Sequence, residues 1–104
     1  MGVTKVRKDL TKHYKEIFKT VKQVIDKWDP ICLLEAGAPS CEYDIEIADI
    51  LPVAYKSNSI DEITDKIMQT FTEYFGTETF KYSKSEVGKI AEIIFYELQR
   101  NDLK

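Results

Sequence analysis

The sequence predicts an all-α fold: a compact bundle of four main helices with an ordered loop between the first two. Three observations lead there. Apolar residues recur three and four apart in four separate stretches, the period of a helix face and not the alternation of a strand. Start and stop residues punctuate those stretches, among them Trp28-Asp29-Pro30, Gly37-Ala38-Pro39, Ser59 with Glu62, Gly76, and Ser83 with Glu86. The 104 residues, 43 % of them apolar, suit one core, so residues 1–104 are expected to form a single helical domain.

The first helix is expected from about Thr4 or Asp9 to Lys27. Leu10, Tyr14, Ile17, Val21, Val24 and Trp28 form its stripe, which Phe18 and Ile25 widen. Lys12, Lys15, Lys19 and Lys22 fall off the stripe, where long cationic side chains stay wet. Pro30 biases Asp29 away from helix, so the helix should stop by Trp28. Asp29-Pro30 also reads as a restart, with Asp as N-cap and Pro at the first helical position. A short helical turn through Ile31–Leu34 would then end at Gly37, its C′ residue.

The second helix is expected from near Glu42, with Tyr43, Ile47, Ile50, Leu51 and Ala54 on one face. Glu42, Asp44, Glu46 and Asp49 crowd its first turns, where negative charge suits the helix dipole. Pro52 predicts a kink or an end near Ile50–Pro52. The third helix opens with a capping box of Ser59 and Glu62. It continues through Ile60, Ile63, Ile67, Phe71 and Tyr74, flanked by Met68 and Phe75, and stops at Gly76. The fourth opens with Ser83 and Glu86 and carries Val87, Ile90, Ala91, Ile94, Phe95 and Leu98. Between them, Thr77–Tyr82 reads as a short extended stretch that drops Phe80 or Tyr82 onto the core. The end, Asn101–Lys104, is expected to fray.

Charge is unevenly spread. Residues 1–27 carry eight basic and three acidic groups, residues 28–65 one and nine, and residues 66–104 six of each, for a net charge of −3. The first segment therefore suits packing beside the second, or pairing between chains. A solvated basic helix face explains the lysines better than nucleic-acid binding, because only two arginines are present and the N-terminal aromatics lie on the apolar stripe. No apolar run approaches the ~20 residues of a membrane span, and the first residues lack the apolar core of a secretory signal. A cytoplasmic setting with reduced thiols is expected, with neither nucleic acid nor membrane as partner.

Catalytic constellations are sparse. His13 is the single histidine and reads as a surface residue; no glycine-rich loop is present. Cys32 and Cys41 lack the paired spacing of a zinc site, and two small, half-buried thiols explain them better than a disulfide. No cofactor is expected. The acidic residues Asp29, Glu35, Glu42, Asp44, Glu46 and Asp49 are the best chemical candidates. They read first as caps and solvating charges, and alternatively as a cation site or acid–base pair built on Asp29, Glu42, Asp44 and Glu46. Trp28 reads as core continuing the first stripe and covering the loop after it, and Tyr14, Tyr74 and Tyr82 stay open between core and interface. Several tyrosines exposed together would favour a partner patch.

The run Trp28-Asp29-Pro30-Ile31, Leu33-Leu34, Gly37-Ala38-Pro39, Glu42-Tyr43-Asp44 and Glu46-Ile47 resembles the signature of a YugE-like family of small bacterial proteins without assigned function. The resemblance covers residues 20–76 well and implies a compact all-helical domain, with no activity or cofactor. Cys32 stands where the family commonly has Gly, and Cys41 where it commonly has Asp. Trp28, Asp29, Pro30, Pro39, Glu42, Tyr43 and Asp44 match, and mark either a fold-defining loop or a recognition surface. The expectation is a non-enzymatic interaction or assembly module, possible as a homo-oligomer, working through the Trp28–Asp44 loop or the basic first helix.

Overall fold

The computed structural model describes residues 2–103, with side chains from residue 13 onward. Four helices form the fold: α1 (Gly2–Trp28), α2 (Asp44–Lys56), α3 (Ile60–Phe75) and α4 (Lys84–Arg100). Among the described residues there is no strand. Helix α1 packs against α2 and α4, and α3 packs against the same two, so α1 and α3 occupy opposite corners of a square. The bundle is all-α, as its periodicity requires.

The expected stripes close on one another. Ile17, Val21 and Ile25 of α1 meet Ile47, Ile50, Leu51 and Ala54 of α2, Ile63, Ile67 and Phe71 of α3, and Val87, Ala91, Ile94 and Leu98 of α4, all buried. Phe18, Val24 and Trp28 border this core half-buried. Tyr14 and Tyr74, expected on the stripes, are instead exposed: Tyr74 sits in the last turn of α3, and Tyr14, midway along α1, borders a groove between α1 and α2. Leu10 and Lys12 lie outside the residues whose side chains are described.

Several boundaries differ from expectation. Helix α2 begins at Asp44 and not Glu42, since the chain is still turning through bonds from Glu42 N to the Pro39 carbonyl and from Asp44 N to the Cys41 carbonyl. It also runs through Pro52 to Lys56. Pro52 and Ala48 are both exposed, so the carbonyl that Pro52 cannot serve faces water. At α3 only half of the expected capping box forms. Ser59 Oγ accepts from Glu62 N at 3.2 Å, but the Glu62 carboxylate accepts from Ser57 Oγ at 3.1 Å. The box at α4 is complete, with Ser83 and Glu86 bonded reciprocally at 3.1 Å.

The Thr77–Tyr82 connection is a turn followed by irregular chain, and it delivers both aromatics: Phe80 is buried and Tyr82 half-buried. Nor does the chain fray directly after α4. Asp102 adopts φ +56°, Leu103 N bonds to the Leu98 carbonyl at 2.8 Å, and the Leu103 side chain is buried. That pattern ends a helix by satisfying its last carbonyls.

Candidate functional site

The loop between α1 and α2 is built around one carboxylate and one hydroxyl. Helix α1 ends where Asp29 takes φ +47°, a left-handed conformation that Asp tolerates better than most residues. The chain reverses, and Cys32 takes φ +58°. A single helical turn follows, closed by Ala36 N bonding to the Cys32 carbonyl at 3.1 Å. The Asp29 carboxylate caps this turn, accepting from Leu34 N at 3.1 Å and Glu35 N at 2.9 Å. Asp29 is thus a cap, as its residue type suggests. The turn starts after Cys32, however, and not at Pro30, which is buried. Gly37, at φ +99°, is the C′ residue as expected. Its N–H bonds to the Leu34 carbonyl at 3.0 Å, and Ala38 N bonds to the Leu33 carbonyl at 2.9 Å.

Tyr43 closes the loop from below. It is fully buried, and its hydroxyl donates to Asp29 Oδ1 at 2.6 Å while accepting from Ile31 N at 3.2 Å and Leu33 N at 3.4 Å. Burial by itself raises the Asp29 pKa. The Tyr43 hydroxyl, then the loop N–H groups, outweigh this and hold the carboxyl below its ordinary value. Burial, together with the bond to Asp29, pushes the Tyr43 hydroxyl far above its ordinary value. At neutral pH the pair is carboxylate plus phenol, the combination its hydrogen bond requires.

Trp28 covers the loop's inner side. Its ring packs edge-on against Phe71, Phe80 and Tyr82, with centroids 5.8, 5.9 and 5.1 Å away. Such pairs each contribute about 0.5–1.5 kcal/mol beyond their area. Lys22 ties α1 to the start of α2: its ammonium meets Asp44 at 2.6 Å, Asp26 at 3.1 Å and the Ser40 carbonyl. The basic first segment does pack beside the acidic second one.

The acidic residues do not converge. Asp29 serves the loop, Asp44 serves Lys22, and Asp49 reaches across to Thr70 at 3.0 Å and Lys66 at 3.4 Å. Glu35 and Glu42 are exposed, and Glu46 is buried. Burial first, then the charges of Glu42 and Asp44, raises the Glu46 pKa. Among the described residues no group of three or more His, Cys, Asp or Glu side chains is placed to hold a metal ion. Cys32 and Cys41 are free and exposed, where half-buried thiols were expected. Pro39 and Glu42 are the two signature residues on the outside of the loop.

Two grooves flank α1. One, of about 540 Å³, runs between α1 and α4 over Val24, Trp28, Ile90 and Ile93, with Lys27 and Arg100 at its rim. The other, of about 310 Å³, lies between α1 and α2 over His13, Tyr14, Ile17, Leu51, Pro52 and Tyr55. His13 and Tyr55 stack edge-on at 5.3 Å. Tyr55, Ile93 and Tyr96 are exposed by 40, 47 and 55 %. Sequence reasoning passed over all three. The signal available was that each is a large apolar residue lying off its helix's buried stripe.

The fold and loop define a small four-helix bundle whose α1–α2 connection is locked by the half-buried Asp29 on the buried Tyr43. The chain belongs to the family described as a domain of unknown function, DUF1871, whose model matches residues 20–95. The matched span contains the whole loop, α2, α3 and most of the buried residues of α1 and α4, leaving out Ile17 and Leu98. No curated protein and no solved structure matches the chain. Among the described residues no helix is long and apolar enough to cross a membrane.

Proposed function

We propose that residues 1–104 form one non-enzymatic interaction or assembly module, YugE-like, bacterial and cytoplasmic. One observation carries the reading: large apolar side chains stand exposed beside two of the grooves along α1, Tyr14 and Tyr55 at one and Ile93 at the other, with Tyr96 next to Ile93 on the outer face of α4. Grouped exposed aromatics and aliphatics mark docking faces more often than isolated ones do. Of the carboxylates that a cation site or an acid–base pair would use, Asp29 is spent on a cap and Asp44 on Lys22, while Glu42 is exposed and Glu46 buried, which favours binding over chemistry. Of the two readings open to the Trp28–Asp44 signature, the hydrogen bonds favour the brace: Asp29, Tyr43 and Asp44 turn inward on the chain itself. The helical faces are then the working surfaces and the loop fixes their angle.

The test is quantitative. Tagged protein and a Tyr14→Ser/Tyr55→Ser variant are compared by affinity capture, and the untagged chain by light scattering. The reading expects self-association, or a captured protein that the variant loses. A chain that is monomeric and captures nothing sensitive to either face overturns it.

A further inference from the structure

Helix α4 turns Val87, Ala91, Ile94 and Leu98 into the core and leaves a broad outer face centred on Ile93, beside the α1–α4 groove. That face is chemically symmetric about Ile93. Three residues either side stand Ile90 and Tyr96; four either side, Lys89 and Glu97; seven either side, Glu86 and Arg100. At ~3.6 residues per turn all seven positions fall on one side of the helix. Laid antiparallel on a copy of itself about a two-fold axis through Ile93, the helix meets Lys89 with Glu97, Glu86 with Arg100 and Ile90 with Tyr96. A two-fold interface requires this self-complementarity, and an arbitrary surface lacks it.

Resting on the interaction reading and naming its partner, we propose that this face binds a second copy of the same chain. The two Ile93 side chains meet on the axis, and Tyr96 of the second copy enters the groove over Ile90 and Val24. Among the described residues Lys89 forms no close ion pair, its charge acting only at longer range on Glu86, and Arg100 holds Glu97 only loosely, at 3.6 Å. Pairing across the axis therefore breaks no close ion pair, and Arg100 approaches a Glu86 carboxylate whose Oε1 keeps its capping bond from Ser83 N at 3.1 Å. The apolar centre supplies affinity, and the flanking charges fix the antiparallel register and oppose a parallel one.

Sedimentation of the full chain over a range of concentrations tests this, with helicity monitored by circular dichroism. Ile93→Lys, at an exposed position, is expected to leave the fold intact and to weaken the dimer by at least about tenfold, since two like charges meet on the axis. Lys89→Glu is expected to weaken it. Lys89→Glu/Glu97→Lys, which exchanges the signs, is expected to restore it. A chain monomeric throughout, a dimer indifferent to Ile93→Lys, or a double exchange that fails to recover overturns the proposal. A monomer that still captures a protein through Tyr14 and Tyr55 overturns this dimer and leaves the interaction reading standing.

Discussion

The Tyr43 hydroxyl and the Asp29 carboxylate hold four loop N–H groups between them, those of Ile31, Leu33, Leu34 and Glu35. A buried donor or acceptor left without a partner costs more than the same bond returns when formed, so removing the hydroxyl strands several groups at once. Tyr43→Phe is expected to lower stability by about 1–3 kcal/mol, read by urea denaturation. No change would mean that the bonds give way to water without cost. Cys32 carries the opposite expectation. At φ +58° its side chain crowds its own backbone, and glycine relieves that strain. The left-handed turn gives a physical reason to prefer glycine at this position. Cys32→Gly is expected to raise stability by about 0.5–1 kcal/mol in the same measurement, because the gain outweighs the added freedom of the unfolded chain.

At the scale of the elements, α2 is the helix with a flaw. Pro52 withholds the N–H that Ala48 needs, and the helix survives because that carbonyl faces water and the other face packs fully. Pro52→Ala restores the bond and is expected to stabilise the protein by about 1–3 kcal/mol, read by thermal melting. A loss would mean that the proline ring matters to the α1–α2 groove it lines. The helices were legible because burial needs only periodicity: Ile17, Val21, Ile67 and Ile94 are buried where their spacing put them. Their ends were less legible. Glu62 left the expected box because Ser57 Oγ, folded back beside Ser59, accepts the Ser59 N–H at 3.0 Å and itself donates to the Glu62 carboxylate. Asp29 was legible as a cap but not in register, because a left-handed residue moves the following turn along by a stretch that residue types alone do not give. The pairing of Asp29 with Tyr43, fourteen residues on, is a tertiary contact that no local pattern encodes.

For the whole molecule, the loop and the Lys22 contacts couple bundle closure to pH at both ends of the range. A carboxylate held below its ordinary pKa adds stability above its unfolded pKa and loses it as pH falls through the folded value; Asp29 is such a group. Glu46 works in reverse. Its raised pKa means the charged form is disfavoured in the fold, so its protonation in mild acid relieves a cost before Asp29 begins to lose its contribution. At the alkaline end Tyr43 and Lys22 act together. Burial and Asp29 raise Tyr43. For Lys22, burial lowers the pKa, and hydrogen bonds to Asp44 and Asp26 more than offset it. Both groups therefore stabilise fully below their unfolded values of 10.0 and 10.5 and lose that contribution as pH rises through the folded ones. Melting temperature is expected to hold level through neutral pH and to fall above about pH 10. Tyr43→Phe has no hydroxyl to ionise and should flatten the part of that decline owed to the phenol. Lys22→Met should flatten the part owed to the ammonium. Asp29→Asn should flatten the acid decline and, by removing a partner that raises Tyr43, also soften the alkaline one. Because Asp29 titrates in acid and Tyr43 and Lys22 in alkali, and each variant removes one group, the three variants separate loop from helix contact in one set of melts. An alkaline decline unchanged in Tyr43→Phe would show that the hydroxyl is open to water and that the brace does not hold the bundle's end.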